Sequence, residues 1–111
     1  GTCIRDYVHV VDLAEAHVLG LQWLLDDKGN RVFCLGSGQG FSVREVIEAS
    51  RAVTNREVPM LIGPRRAGDA AALVSSSTRA SQELGWEPKR SSLRQMIGDA
   101  WAWAQKPGFR E

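Results

Sequence analysis

The chain alternates between segments with the apolar period of a strand and segments with that of a helix. Residues 4–10 alternate one by one and predict a strand. Asp12 and Glu15 then stand at the spacing of a capping box and predict a helix over residues 13–25. Its inward-facing stripe is predicted to consist of Ala14, Val18, Leu21 and Leu25. Because further apolar residues surround this helix, we expect it to be covered from two sides.

The same alternation continues through the middle of the chain. Residues 31–36 and 58–62 have the composition of short strands, and residues 72–74 form a brief extended piece. Ser42 and Glu45 make a second capping box, which predicts a helix that ends near residues 54–55.

Two more helices are predicted near the carboxyl terminus. Ser76 or Ser77 is expected to cap a short helix that Gly85 stops. Ser92 caps the last helix, which residues 107–108, Pro-Gly, should end. Short strands that alternate with three to four helices predict an α/β fold, and the strands are too few for a complete sheet.

The composition narrows the class of protein. At 111 residues, with 43% hydrophobic and 24% charged residues and a net charge of +1, the chain fits one small globular domain. Its basic residues are scattered, so nucleic-acid binding is not expected. No apolar stretch reaches the roughly 18 residues of a membrane helix, and we expect a cytoplasmic protein without membrane association. Cys3 and Cys34 are expected to be free thiols.

The loop of residues 65–69 is the strongest candidate site. Arg65 and Arg66 are adjacent in a loop, where their guanidinium groups can match the oxygens of a phosphate. Gly68 allows close approach of the backbone, and Asp69 is suited to orient an arginine or to accept from a ribose hydroxyl. The other interpretation is a solvated turn whose arginines pair with surface acids. This segment alone does not distinguish the anion site from the solvated turn.

The first strand adds a second group of polar residues. Arg5 lies on its more polar face and can reach a ligand at the end of the strand. Asp6 lies on the apolar face and is expected to be buried and paired, to a helix-start amide or an arginine. His9 and His17 fit no compact set of metal ligands with Cys3, so no metal site is expected.

Other motifs have ordinary explanations. The glycines of residues 36–40 follow a predicted strand, but their G-x-G-x-G spacing favours a plain turn over a dinucleotide loop. Trp23, Trp101 and Trp103 lie in predicted helices and are expected to pack in the core. Tyr7, the single tyrosine, begins no Tyr-x-x-x-Lys pair, and we find no nucleophile, acid or base assembled for catalysis.

Together these motifs resemble a known family. The chain resembles the carboxyl-terminal third of UDP-glucose 4-epimerases over essentially all of its 111 residues. The matching segments, in the same order and spacing, are residues 5–10, 12–14, 16–17, 35–36, 65–69, 80 and 83–86. The patterns R-D-Y-[IV]-H-V-x-D-L-A and R-R-x-G-D are typical of nucleotide-sugar epimerases of the extended short-chain dehydrogenase class.

The resemblance implies a parent enzyme that inverts C4 of a UDP-hexose by hydride transfer to NAD and back. NAD and the Tyr-x-x-x-Lys pair would belong to an upstream domain, so residues 1–111 are expected to be a carboxyl-terminal substrate-binding domain, inactive alone and without its own cofactor. By the same resemblance, Arg5 and Arg66 contact the diphosphate of a UDP-sugar and Asp69 holds its ribose. The expected partners are thus a UDP-sugar and the upstream NAD-binding domain.

Several positions depart from the family pattern. Cys34, Ala67 and Leu73 stand close to the expected nucleotide or sugar, so the preferred hexose stays open. Another nucleotide-sugar epimerase or dehydratase, or a nucleotide-binding or interaction module without catalysis, remains an alternative. Because the helix over residues 13–25 and the strand over 31–35 look built for burial on two sides, the isolated chain is expected to form a dimer or larger oligomer.

Overall fold

The computed structural model, which describes residues 2–106, contains a short three-stranded sheet. β1 (Ile4–Asp6) pairs antiparallel with β2 (Gly40–Ser42) and parallel with β3 (Ala72–Leu73). The sheet is open at both edges, and helices alternate with its strands along the chain. The predicted α/β class with an incomplete sheet is therefore confirmed.

The predicted helices form at close to their predicted positions. They are α1 (Val10–Leu25), α2 (Val43–Thr54), a π-helix (Ala80–Leu84) and α3 (Leu93–Ala104). α2 and α3 pack against each other, and α1 packs against the π-helix. None of the helices within residues 2–106 has both the length and the apolar character needed to cross a membrane.

The helix boundaries follow from side-chain caps. Ser42 accepts from the amide of Glu45 (3.1 Å), and Glu45 accepts in return from the amide of Ser42 (3.3 Å), which confirms the capping box of α2. Ser92 caps α3 as predicted. Gly85 ends the π-helix in a left-handed conformation, with φ of 71°. The residues predicted to end α3, 107–108, lie outside the described residues.

Two predicted caps are wrong. α1 begins three residues earlier than expected because His9, not Asp12, is its N-cap: the Nδ1 atom of His9 accepts from the amide of Val11 at 3.0 Å. Ser77 does not cap a helix either. Its hydroxyl donates to the carbonyl of Gly36 at 3.0 Å, and Ser76 hydrogen-bonds Thr78.

The strands of the structure differ more from the prediction than the helices do. Residues 31–36 and 58–62 form no ladder with any described residue, and the strand predicted over 4–10 ends at Asp6. The piece over 72–74 is confirmed as β3. A strand exists only where a neighbouring strand completes its hydrogen bonds, so an apolar run alone is not sufficient.

The core lies between α1 and the π-helix and is small. Its buried apolar residues are Ala16, Ala80 and Trp86, against which Val8, Leu19, Phe33, Leu35 and Leu84 pack. The stripe of α1 that was predicted to face inward points outward instead. Val18, Leu21 and Leu25 are exposed, and so is Trp103, whose predicted place in the core is wrong.

Candidate functional site

The structure brings Arg5, Arg66 and Asp69 together. Arg66 donates from Nε and Nη2 to one carboxylate oxygen of Asp69, at 3.2 and 3.1 Å. Arg5 approaches the other oxygen from β1, with 3.6 Å between Nη2 and Oδ1. One carboxylate therefore lies between two guanidinium groups, and the cluster keeps a net positive charge, as an anion site requires.

The local backbone explains why the cluster forms. Residues 66–69 make a tight turn in which the amide of Asp69 donates to the carbonyl of Arg66 at 3.4 Å, and Gly68 supplies the left-handed φ of 81°. Arg5 is held from the other side, because its Nη1 donates to the carbonyls of Ile4 (2.8 Å) and Ala70 (3.0 Å).

Exposure differs sharply between the two arginines. The side chain of Arg66 is 85% exposed, whereas those of Arg5 and Asp69 are partly buried, with exposed fractions of 26 and 27%. Arg66 therefore presents free donors to solvent while its orientation is fixed by Asp69. The other interpretation of this loop was a solvated turn whose arginines pair with surface acids. Arg66 does pair with an acid, but that acid is Asp69, which belongs to the candidate site itself.

A cavity of about 310 Å³ adjoins the cluster. Arg44, Arg65, Arg66 and Asp69 line its charged side. Its apolar side is formed by Val43, Ile47, Met60, Leu61 and Ile62. The volume is at the lower end of the roughly 300–1,000 Å³ typical of small-molecule sites. A ligand that suits both sides has an anionic part and a flat or apolar part.

Arg44 is the residue of this cavity that the sequence analysis missed. It lies in the first turn of α2, where the helix dipole disfavours a cation. An arginine in the first turn of a helix is a sequence feature that could have indicated a binding role, because the positive end of the helix dipole gives it no structural advantage there. Its backbone amide donates to Thr2, another residue of the cavity wall, at 3.0 Å.

Asp6 lies next to Arg5 in sequence and ties the loops of this region together. Its carboxylate accepts from the amide and hydroxyl of Ser37 (2.8 and 2.7 Å), from the amide of Gly38 (3.1 Å) and from that of Ser75 (3.2 Å). Burial raises the pKa of Asp6, and these hydrogen bonds lower it by more, so that its pKa lies below the ordinary value. Asp6 is thus paired, as expected, but it is only partly buried, and its partners are loop amides and a hydroxyl instead of a helix start or an arginine.

The glycine-rich loop does not fit the phosphates of NAD. The amides of Ser37 and Gly38, which a dinucleotide loop would direct at a pyrophosphate, donate to Asp6 instead. Gly36 is explained by packing, since a Cβ there would lie 2.6 Å from that of Ser75 and 2.7 Å from a carboxylate oxygen of Asp6. The amides of this loop are thus occupied within the chain, as in the plain turn that its spacing predicts.

The histidines have structural roles. His9 accepts at Nδ1 from the amide of Val11, and its Nε2 lies within hydrogen-bond distance of the carboxylate of Asp99, at 2.7 Å. His17 bonds the carbonyl of Leu13 at 2.7 Å. Among residues 2–106, no three potential metal ligands lie close enough together to hold an ion.

A buried polar network joins α1 to the segment before α3. Asp12, fully buried, accepts from the hydroxyl of Ser91 (2.6 Å) and the amide of Arg90 (2.9 Å). The indole of Trp86 donates to the carbonyl of Asp12 at 2.7 Å. The network holds the core in register, and it lies apart from the residues that line the arginine cavity.

Comparison with known proteins gives consistent matches, although no protein-family model matches the chain. The chain is 50% identical to the UDP-glucose 4-epimerase of Corynebacterium glutamicum over 110 residues, which cover 99% of this chain and 33% of that protein. It is 53% identical to the UDP-glucose 4-epimerase of Halalkalibacterium halodurans over 103 residues, 93% of this chain and 31% of that protein.

Solved structures agree. The UDP-glucose-4-epimerase of Stenotrophomonas maltophila, whose crystal structure holds NAD and formylated UDP-arabinopyranose, matches with a TM-score of 0.86 at 46% identity. That match covers 92% of this chain and 30% of the crystallised one. The fold is therefore that of the extended short-chain dehydrogenase/reductase class.

Within that class, the chain belongs to the UDP-glucose 4-epimerase family and corresponds to the carboxyl-terminal third of its members. It spans about a third of the length of the relatives that it matches.

Proposed function

We propose that this chain is the UDP-sugar-binding part of a UDP-glucose 4-epimerase-like enzyme that interconverts UDP-glucose and UDP-galactose. The observation that carries the proposal is the convergence of Arg5 and Arg66 on Asp69 beside a cavity with cationic and apolar walls. A UDP-sugar combines an anionic diphosphate with a flat base, so its two parts match the two sides of this cavity.

The geometry suggests a different role for each residue. Arg66, exposed and already oriented, is suited to donate two parallel hydrogen bonds to the diphosphate. Arg5 already uses Nη1 for two carbonyls, so it contributes mainly positive charge and holds Asp69. Asp69 orients both arginines, and its remaining lone pairs are available to a ribose hydroxyl.

The chemical step is assigned to the rest of the protein in this proposal. The family resemblance implies that NAD and the catalytic pair lie outside this chain, and the occupied amides of residues 37–38 support that part of the proposal. When bound to the whole enzyme, NAD would supply the hydride chemistry. The isolated chain is expected to be inactive, which an assay for UDP-galactose after addition of NAD and UDP-glucose would check.

Binding of UDP tests the site directly. We expect Arg66→Ala to weaken the affinity for UDP by about 10- to 100-fold, because it removes charge-assisted hydrogen bonds worth roughly 1.5–3 kcal/mol. Isothermal titration calorimetry of the 111-residue chain with UDP measures the change.

Arg56→Ala is the matched control for this substitution. It removes the same charge from an arginine that stacks over Trp101, at 5.4 Å, and is not part of the cavity wall. The Arg56→Ala variant should bind UDP with the same affinity as the unchanged chain. Equal weakening by both substitutions would mean that only net charge matters, and no weakening by Arg66→Ala would remove Arg66 from the site.

A further inference from the structure

Arg44 carries a positive charge that no group among residues 2–106 balances. Its side chain is exposed, and its guanidinium makes no hydrogen bond or ion pair within those residues. It lines the arginine cavity together with Arg65 and Arg66, and Asp69 is the one acidic residue of that wall in the described part of the chain. Because like charges around one cavity repel each other, an unpaired cation in its wall is a candidate contact for a ligand.

The position of Arg44 on its helix does not by itself mark a site. Arg44 and Arg94 are each the second residue of a helix that a serine caps, Ser42 in α2 and Ser92 in α3, and both side chains are exposed. Of the two, only Arg44 lines the arginine cavity. The cavity wall is therefore what distinguishes Arg44, and Arg94 is a matched control for it.

The backbone pairing of β1 separates Arg44 from the residues assigned to the diphosphate. Arg5 belongs to that cluster. Cys3 extends the pairing of β1 with the chain after β2, since its carbonyl accepts from the amide of Val43 at 3.2 Å, and the hydroxyl of Thr2 accepts from the amide of Arg44 at 3.0 Å. Because an extended chain rises about 3.3 Å per residue, the backbone of Thr2 lies roughly 10 Å from that of Arg5. Arg44 thus starts from the end of the cavity that is farther from Arg5.

The apolar wall of the cavity adjoins Arg44. Val43 precedes it and Ile47 follows it by three residues, so the three side chains share one face of α2. A flat ring that packs on Val43 and Ile47 would have the guanidinium of Arg44 near its edge. A hexose carries hydroxyl groups around its ring and does not suit an apolar wall, whereas a pyrimidine base does.

We propose that Arg44 is a specificity-determining residue of the nucleotide site and donates to the O4 carbonyl of uracil. Arginine offers hydrogen-bond donors only. Uracil has an acceptor at position 4, whereas cytosine has an amino group there, which would place donor against donor. The site therefore selects uridine over cytidine nucleotides. This inference rests on the proposed UDP-sugar site and adds to it the residue that distinguishes the base.

Calorimetric titrations with UDP and CDP test the assignment. Because the two nucleotides share the ribose and the diphosphate, the ratio of their dissociation constants reports on the base alone. The unchanged 111-residue chain should bind UDP at least about 10-fold more tightly than CDP, the effect of one hydrogen bond to a charged group. In Arg44→Leu, which has no donor on this side chain, the ratio should fall toward about 1.

Arg94→Leu is the control for this substitution. It removes the same charge from the same position of a serine-capped helix, outside the cavity wall. Its ratio for UDP and CDP should equal that of the unchanged chain. Since the guanidinium of Arg44 has no partner within residues 2–106, Arg44→Leu should also keep the thermal midpoint of the unchanged chain.

The outcomes separate this inference from the proposed site. Equal affinities of the unchanged chain for UDP and CDP would overturn the role of Arg44 and leave the UDP site intact. Equal weakening of both nucleotides by Arg44→Leu would overturn it as well, because Arg44 would then contact the diphosphate. No binding of either nucleotide by the unchanged chain would instead contradict the proposed site, and this inference with it.

Discussion

Three carboxylates connect segments that are distant in sequence. Asp6 joins β1 to the loops at Ser37 and Ser75, Asp12 joins α1 to the segment before α3, and Asp69 lies between two arginines. The sequence predicts that Asp6 is paired and that Asp69 belongs to a site. The partners of Asp6 and the burial of Asp12 are not predictable from it, because both depend on loops that only the complete fold brings together.

Substitution of Asp6 should be destabilising. Asp6→Asn places an amide nitrogen among backbone donors, so part of the Ser37, Gly38 and Ser75 hydrogen bonds is lost, at a cost of about 1–3 kcal/mol in the free energy of unfolding. Urea denaturation at neutral pH measures this loss. An unchanged midpoint would show that Asp6 does not hold these loops.

The same substitution should alter acid stability. Because the pKa of Asp6 is lower in the folded chain than its ordinary value of 3.8, its contribution is complete above that pH and is lost as the pH falls through the folded-state pKa. The stability difference between the unchanged chain and Asp6→Asn should therefore shrink below about pH 4. A difference that grows on acidification would contradict this sign.

At the scale of elements, the helices were predictable because their signals are local. The caps at Ser42 and Ser92 and the glycine stop at Gly85 lie within a few residues of the boundaries that they set. The absence of strands over residues 31–36 and 58–62 was not predictable, because strand formation depends on a partner strand that the sequence does not specify.

The inverted face of α1 has a related explanation. Periodicity identified the most apolar stripe but not the side on which its partner lies. Within residues 2–106, α1 buries the side that carries Asp12 and Ala16, because Trp86, Arg90 and Ser91 satisfy the polar groups there. Because that side of α1 faces the core, the apolar stripe on the opposite side is left exposed.

The capping box of α2 gives a prediction with an internal contrast. Ser42→Ala should lower the free energy of unfolding by about 1 kcal/mol, because the amide of Glu45 loses its acceptor. Ser50→Ala, in the same helix, should be neutral or slightly stabilising, since Ser50 only bonds back to the carbonyl of Val46. Chemical denaturation of both variants checks the pair, and equal effects would contradict it.

At the scale of the whole molecule, the exposed apolar surface predicts association of the isolated chain. α1 exposes Val18, Leu21 and Leu25 to solvent, Val32 is exposed as well, and an apolar area of this kind promotes self-association. We expect light scattering at tens of micromolar to show a dimer or larger species, and Ala14→Asp to shift it toward the monomer. A clean monomer before substitution would contradict the expectation.

The location of a bound nucleotide tests the central claim most directly. In a titration of the 111-residue chain with UDP followed by ¹H–¹⁵N NMR, saturable shifts should concentrate at Arg66, Asp69 and Ile47, around the arginine cavity. The amides of Ser37 and Gly38, which donate to Asp6, should shift little. Shifts centred on those two amides, or no saturable shifts at all, would contradict a UDP-sugar site formed by Arg5, Arg66 and Asp69.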